Sequence, residues 1–369
     1  MDQSSSSKRK RKADAMNEWE ALELEKIAKV KEMYSKGVPF FTKDSIRNIH
    51  QQLLKAKTGD EISVLNLDGT SSKFKILNGE VVDGDEPKTE MVQIDPHIRY
   101  ESIQGLTQRI DGAFTASFCP MPIAHFLEVR DKVTKEFCQR SKKHPNLPRE
   151  EAEEFFKTCC KEWEASEPCK QLRSILASAQ LPLGITKIVA FACSNFSRII
   201  TKKPHSSRGL VRPATQHALI LTLRDILSKK DCGSSGEIEC YAQDPVYSSL
   251  DKSILEQSGI KILSDPEGFL EVDESTVVLS FCPNVCVRQV VTDIARPAIM
   301  IWDRVLWNED EMDGEPKTDP DSPRLKKMLQ AFYEESEMPD DYDDANKSFG
   351  IKFGNAGIYI RKANAISRL

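Results

Sequence analysis

Long apolar runs are missing from this chain. The longest, such as Val277–Phe281 and Ala298–Trp302, fall far short of the roughly 20 apolar residues that a bilayer-spanning helix needs. No apolar stretch of the signal-peptide kind follows Met1, so the expectation is a protein without a membrane partner that stays inside the cell. Metal-type cysteine pairs are missing as well. The ten cysteines (Cys119, Cys138, Cys159, Cys160, Cys169, Cys193, Cys232, Cys240, Cys282, Cys286) include no CxxC pair, and no histidine lies at ligand spacing. They therefore predict no metal site, and several fall in apolar runs where a free thiol packs as a small hydrophobe. No Ser/His/Asp or Cys/His set is apparent, and no catalytic residue is assigned.

What is present supports a buried core. Hydrophobic residues make up 39% of the 369 positions, a length that suggests about two domains. The net charge of −5 argues against polyanion binding by the chain as a whole, but the charge is uneven. A basic block, Lys8-Arg9-Lys10-Arg11-Lys12, follows four serines, and the segment from Asp303 to Asp344 is strongly acidic. The block reads as a nuclear-import address, as a contact to nucleic acid, or as a plain solvated tail. The first reading gives a protein of nucleus and cytoplasm. Residues 1–16 lack apolar periodicity and are expected to be disordered.

Residues 17–181 read as a mainly helical region with a small hairpin. Trp19, Leu22, Ile27, Val30 and Tyr34 form one helical stripe, and Ile46, Ile49 and Leu53 a second. Ile62–Leu67 and Phe74–Leu77 pair around Asp68-Gly69. Three helices follow: one through Phe126, Val129, Val133 and Phe137, one through Ala152, Phe155, Cys159 and Trp163, and one capped by Ser166 with Pro168 in its first turn.

From residue 182 to 303 the pattern changes. Short apolar runs at Ile188–Ala192, Ile238–Ala242, Ile260–Leu263, Val277–Phe281 and Ala298–Trp302 are separated mostly by amphipathic helices, one opened by Pro213 and one capped by Asn284. Continuous apolar strands of this kind indicate a parallel sheet covered on both faces. The fold class is therefore α/β, a doubly wound, mostly parallel, five-stranded Rossmann-like sheet. Residues 304–369 read as a solvated acidic loop closed by a hairpin of Ile351–Phe353 and Ile358–Ile360.

Ligands of open α/β sheets bind outside the carboxyl ends of the strands. Those ends place Ser194, Asn195, Ser197 and Arg198 after the first strand, Asp244 and Pro245 after the second, Cys282, Pro283 and Asn284 after the fourth, and Asp303 after the fifth. His217 joins them from the first turn of the next helix. The turn after the first strand has no glycine, which argues against a standard nicotinamide or S-adenosylmethionine site, and no cofactor is assigned. A basic loop (Arg198, Lys202, Lys203, His205, Arg208, Arg212) leads into that helix and could hold an anion or simply be solvated. The tetrapeptide Ser-Phe-Cys-Pro occurs twice, at Ser117–Pro120 and Ser280–Pro283, and a Cys-Pro pair can offer a thiolate to haem.

Through Cys240–Tyr247, Gly259-Ile260, Ser280–Asn284 and Pro297–Asp303, the chain resembles the SRR-like family, named for reduced sensitivity to red light, over about residues 186–303. It departs at Ala192-Cys193-Ser194, where many members have a glycine-containing turn, and at Cys282-Pro283-Asn284, where many have Pro-His-Cys. The resemblance implies regulation, in light signalling and clock control, and lends no catalytic residue. The leading expectation is a non-enzymatic regulator that binds a protein partner or a small ligand at the strand rim. The alternatives are a nucleotide- or cofactor-dependent enzyme with an atypical site and a haem sensor using the Cys-Pro pairs.

Overall fold

The computed structural model describes residues 21–82, 86–107, 118–138, 146–198, 208–230, 237–307, 317–340 and 353–363. The basic block Lys8–Lys12, most of the basic loop after Arg198, and Ile351 lie outside them. The chain divides into two compact units, one holding the residues up to Ile76 with Pro96–Ala124, the other Leu77–Asp95 with His125 onward.

The first unit contains helix α1 (residues 21–35), α2 (Lys43–Lys55), the hairpin β1 (Glu61–Leu65) and β2 (Ser71–Lys75), and the short α3 (Ile103–Thr107). Thr42 caps α2 by accepting from the Ser45 amide at 3.1 Å. The hairpin closes around Asp68-Gly69, with its second strand at Ser71–Lys75 where the apolar pattern predicts Phe74–Leu77; Ile62 lies opposite Phe74 and Gly69 at φ 83°, a backbone setting that glycine adopts without strain.

A three-stranded sheet follows, most of it in the second unit, in the order β3 (Val81–Val82), β4 (Thr89–Ile98), β5 (Ile123–Asp131). Here the expected helix through Phe126 and Phe137 is overturned. Phe126, Val129 and Val133 are exposed, so their helical spacing marks no buried face. The segment pairs with β4 instead, and the Glu90 carboxylate of β4 fixes it by accepting from Arg130 Nε at 2.6 Å and Lys135 Nζ at 2.9 Å. Asp131 then turns the chain by accepting from the Val133 and Thr134 amides.

Helices α4 (Arg149–Ala165) and α5 (Glu167–Ser178) lead into the main sheet. Its strands are β6 (Lys187–Phe191), β7 (Glu239–Gln243), β8 (Ile260–Ile262), β9 (Thr276–Ser280), β10 (Ile299–Asp303), β11 (Tyr333–Glu337) and β12 (Ala356–Arg361). Between them run α6 (Arg208–Lys229), α7 (Ser249–Gln257), α8 (Glu267–Glu271), α9 (Val287–Ile294) and α10 (Pro323–Phe332). The spatial order is β11-β12-β10-β9-β6-β7-β8, so the five strands expected from sequence are neighbours and mutually parallel.

The sheet has seven strands, not five. The expected terminal hairpin is replaced by β12, which lies between β10 and β11 and is antiparallel to both. All six of its residues are buried, and Ile358 and Ile360 join the core, which is the apolar gain that draws the strand into the sheet. Two helix starts also differ. Pro213 sits inside α6 rather than opening it. Asn284 does not cap α9, whose N-cap position is Cys286 with no side-chain capping bond; the Asp319 carboxylate takes that role by accepting from the Arg288 amide at 3.3 Å. The described part of the acidic segment is likewise packed rather than solvated, with Asp319 and Ser322 buried.

One face of the sheet, with Ile188, Ala190, Val277, Leu279, Ile299 and Ile301, packs into a core with Trp163 of α4, Leu219 and Leu223 of α6 and Leu255 of α7. Each such leucine contributes about 1.5–3 kcal/mol by leaving water. The indole of Trp163 donates to Thr222 Oγ1 at 3.0 Å. The alternate residues Val189, Phe191, Val278, Met300 and Trp302 are also buried, and Phe269 of α8 stacks on Phe191 at 4.7 Å. Gly268 permits that stacking. A Cβ there would stand 2.7 Å from Gln243 Oε1 and 2.9 Å from Phe191 Cε1. Gly268→Ala is therefore expected to lower stability by about 1–3 kcal/mol in denaturant unfolding, the cost of overpacking; an unchanged midpoint would show that α8 can move away freely.

Candidate functional site

The chain leaves β6, builds β7 and β8 on one side, then returns to place β9 on the other side of β6. That reversal between β6 and β9 is the switch point where an open α/β sheet forms its ligand crevice. The turn after β6 is unusual in backbone. Ala192 and Ser194 lie at φ 57° and 60°, the left-handed region that costs a residue with a Cβ about 1–2 kcal/mol.

Two carboxylates hold this turn. Asp244, after β7, accepts from the Ser194 amide at 2.8 Å through Oδ2 and from the Val246 amide at 3.0 Å through Oδ1. Asp251, fully buried in α7, accepts from the Phe196 and Ser197 amides at 3.1 and 2.9 Å through Oδ1. Its Oδ2 accepts from the Ser248 amide and hydroxyl at 2.9 and 2.6 Å, completing a capping box at the start of α7. Ser197 Oγ and Ser248 Oγ lie 2.9 Å apart in the same network. Three amides of the turn, those of Ser194, Phe196 and Ser197, are thus already bound by the protein's own carboxylates, while the buried Arg198 Nε has no partner among the described residues. Burial pushes the Asp244 carboxyl up, against the pull of its two amide partners, and nearby Asp251 adds to the rise.

The structure brings Ser194, Asn195, Ser197 and Asp244 into this one network region, with Asn195 buried and its Oδ1 without a partner among the described residues. Arg198 leaves the turn through a bridge to Asn146. Pro245 and Asn284 are exposed. Cys282, after β9, is a third left-handed residue at φ 51°; it is exposed, and its Sγ accepts from Arg212 Nη2 at 3.3 Å. The Pro283 carbonyl accepts from Thr318 Oγ1.

Asp303 is half-buried. Burial raises its carboxyl, while Arg288, Lys317 and Arg212 pull it down. Its carbonyl accepts from Arg288 Nη1 at 3.0 Å. Arg288 is itself buried and also donates through Nε to Asp319 Oδ2 at 3.2 Å and pairs with Asp321 at 2.8 Å. Burial pushes Asp319 up to about 6 despite this partner; burial also works to lower Arg288, but the surrounding Asp319, Asp321 and Asp303 outweigh it and raise the group above its ordinary value, so the guanidinium stays charged.

Sequence reasoning missed Asp251, Ser248, Arg288 and Asp319. The first two carry a signal, because Ser248-x-x-Asp251 before an apolar stripe is a capping-box spelling. No sequence signal pairs Arg288 with acids 31 and 33 residues later. Of the two Ser-Phe-Cys-Pro copies, Cys119 is buried with its thiol pushed up to about 11 by burial, and Cys282 is exposed. Among the described residues no group of three or more His, Cys, Asp or Glu side chains could hold a metal, and no helix is long and apolar enough to cross a membrane.

His217 stands apart from the exposed rim. It is fully buried, with Nδ1 2.7 Å from the Pro213 carbonyl and Nε2 2.8 Å from the Tyr247 hydroxyl. A carbonyl only accepts, so Nδ1 carries the proton and Nε2 accepts from Tyr247. Burial pushes His217 down to about 4, against the pull of the Pro213 carbonyl and Asp251. The unfolded chain therefore takes up a proton below about pH 6.5 that the folded state refuses, and stability present above that pH is lost as pH falls toward 4. His217→Gln is expected to flatten this slope by up to about 1.4 kcal/mol per pH unit between pH 6 and 4.5 in denaturant titrations. Parallel slopes for the two proteins would contradict a neutral, buried imidazole.

The chain matches the SRR1 domain over residues 170–359, from α5 into β12, more than half of its length. No curated protein matches it. Among solved structures it is similar to the crystal structure of TehB from Haemophilus influenzae, at 11% identity over 77% of this chain and 92% of that chain, with a TM-score of 0.30. The matched segment contains β6 to β10, β11 and the greater part of β12, together with both carboxylates that hold the rim: this chain belongs to the SRR1 domain family.

Proposed function

We propose that this protein is a non-enzymatic regulator that binds a small ligand at the carboxyl rim of β6, β7 and β9. The observation that carries the reading is the placement of backbone strain. Ala192, Ser194 and Cys282 are all left-handed without being glycine, and all three follow the two adjacent strands that flank the switch point. Strain of about 1–3 kcal/mol per residue persists only where the surroundings over-determine the conformation, and it clusters at binding and catalytic sites. Asp244 and Asp251 supply that over-determination around the first turn.

The chemistry of the nearby groups favours binding over turnover. His217 has both ring nitrogens engaged and stands neutral and shielded. Burial drives the Cys193 thiol well above its ordinary value, which keeps it protonated and unreactive. Exposed groups at the rim, Asn284 and Cys282 beside Arg212, are polar and suited to contact.

The test is a thermal-shift panel on the full chain with nucleosides, nucleotides, amino acids, sugars, sugar phosphates and hemin. A ligand at about a hundred times its dissociation constant adds roughly 2.7 kcal/mol, which raises the midpoint by several degrees. The expected result is such a shift, reduced in Asn284→Ala at unchanged basal midpoint, with the ligand recovered intact after incubation. A flat panel would contradict ligand binding, and conversion of the ligand to product would contradict the non-enzymatic reading.

A further inference from the structure

The large apolar side chains left in water are not scattered evenly over the protein. Five of the thirteen that are exposed among the described residues, Phe126, Leu127, Val129, Val133 and Phe137, fall within one short stretch, and Val133 at its turn is 89% exposed. Single exposed apolar residues are ordinary, but a cluster of this kind marks a surface that another molecule covers. Phe126, Leu127 and Val129 stand on β5, the outermost strand of its sheet, and Val133 and Phe137 on the turn and return that follow it.

Side chains alternate along a strand, so Phe126 lies on one face of β5 and Leu127 and Val129 on the other. A molecule stacked on either face covers one set and leaves the other in water. A strand added at the edge borders both. The backbone is set for that addition. The Pro122 carbonyl and the Lys132 amide turn inward, to Arg99 and Lys88 at 2.9 and 3.0 Å. The Val129 carbonyl and the Asp131 amide turn outward, to Cys138 and Glu136 at 2.7 and 2.9 Å. The same alternation points the amide and carbonyl of Leu127 outward. Among the described residues no strand lies on that side of β5, and the Arg130–Phe137 bridge stops short of Leu127.

The strand that fits this edge must itself be apolar on both faces and carry no excess of one charge. β5 has that composition. From His125 to Cys138 the acidic side chains Glu128, Asp131 and Glu136 are matched by the basic Arg130, Lys132 and Lys135, so two copies of the segment meet without net repulsion. The edge strand β11, by contrast, exposes Glu334, Glu335 and Glu337, and like charges of that kind keep identical edges apart. We infer that β5 pairs with the β5 of a second copy of this chain, antiparallel about a two-fold axis, with Leu127 in the new ladder. The two sheets then run on as one across the dimer, and each copy presents the same patch to the other, as a two-fold interface requires. The pairing is independent of the ligand site at the rim.

The test is sedimentation velocity of the full chain over a dilution series, with amide hydrogen exchange at the two ends of the series. The expected result is a dimer that dissociates on dilution, in which the Leu127 amide exchanges more slowly at high concentration than at low. Leu127→Asp should weaken the dimer by about tenfold or more, because a two-fold interface carries the change twice, while the far-ultraviolet spectrum is retained. Leu183→Asp, at a leucine 77% exposed outside the patch, should leave the dissociation constant unchanged. Should Leu127→Asp not fold, the concentration dependence of the Leu127 amide in the unaltered chain decides alone. A monomer at every concentration up to about 100 µM would overturn the inference and leave the patch to a partner of another kind. A dimer that Leu127→Asp leaves intact, or one in which the Leu127 amide exchanges equally at both concentrations, would overturn it as well.

Discussion

A single buried carboxylate ties the turn after β6 to the first turn of α7, three elements later. Asp251 accepts four hydrogen bonds, two from the turn after β6 and two from Ser248, and it is fully excluded from water. Unpaired, such a charge would cost several kcal/mol; satisfied on both oxygens, it becomes a rigid joint. The joint fixes where Ser194 sits, and so allows Asp244 to close the turn from the β7 side. Everything proposed for the rim depends on this arrangement. It accounts for a glycine-free turn held in left-handed conformation, with the amides of Ser194, Phe196 and Ser197 engaged by carboxylates.

A second joint closes the other side of the sheet. Arg288, buried at the start of α9, gathers Asp319, Asp321 and the Asp303 carbonyl, while Thr318 holds the Pro283 carbonyl behind Cys282. Replacing a buried ion network by apolar packing is often neutral for stability, so its value here lies in placement. It fastens the segment before α10 to the β9–β10 end of the rim, on the way to β11 and β12. This is the physical reason that the domain does not stop at residue 303. The acidic residues that give the tail its composition are partly ligands for one arginine.

The parallel core was legible because buried strands spell themselves as continuous apolar runs, and Ile188, Cys240, Ile260, Val277 and Ile299 all stand in the strands their runs predict or pair within them. The rim residues followed from strand ends alone, since the carboxyl ends of parallel strands fall on one edge. The failures share a cause: they turn on long-range partners. The stripe from Phe126 to Phe137 has helical spacing, but Phe126 and Val129 stand in β5 and Val133 in the turn after it, where Glu90 binds Arg130 and Lys135 from about forty residues away. β12 offers two isoleucines and small residues, and its place between β10 and β11 depends on their edges being open. His217 lies near the rim in sequence yet is turned inward by Pro213 and Tyr247.

The central claim is that the rim turn is rigid before any ligand arrives. Amide hydrogen exchange of the free protein tests it most directly, because Ser194, Phe196 and Ser197 lie outside any helix or strand and yet donate to buried or half-buried carboxylates. The account predicts that these three amides exchange as slowly as those of β6 beside them, with opening free energies near that of global unfolding. Exchange at the rate of an exposed loop would mean that the turn is not held by Asp244 and Asp251, and would contradict the preformed site.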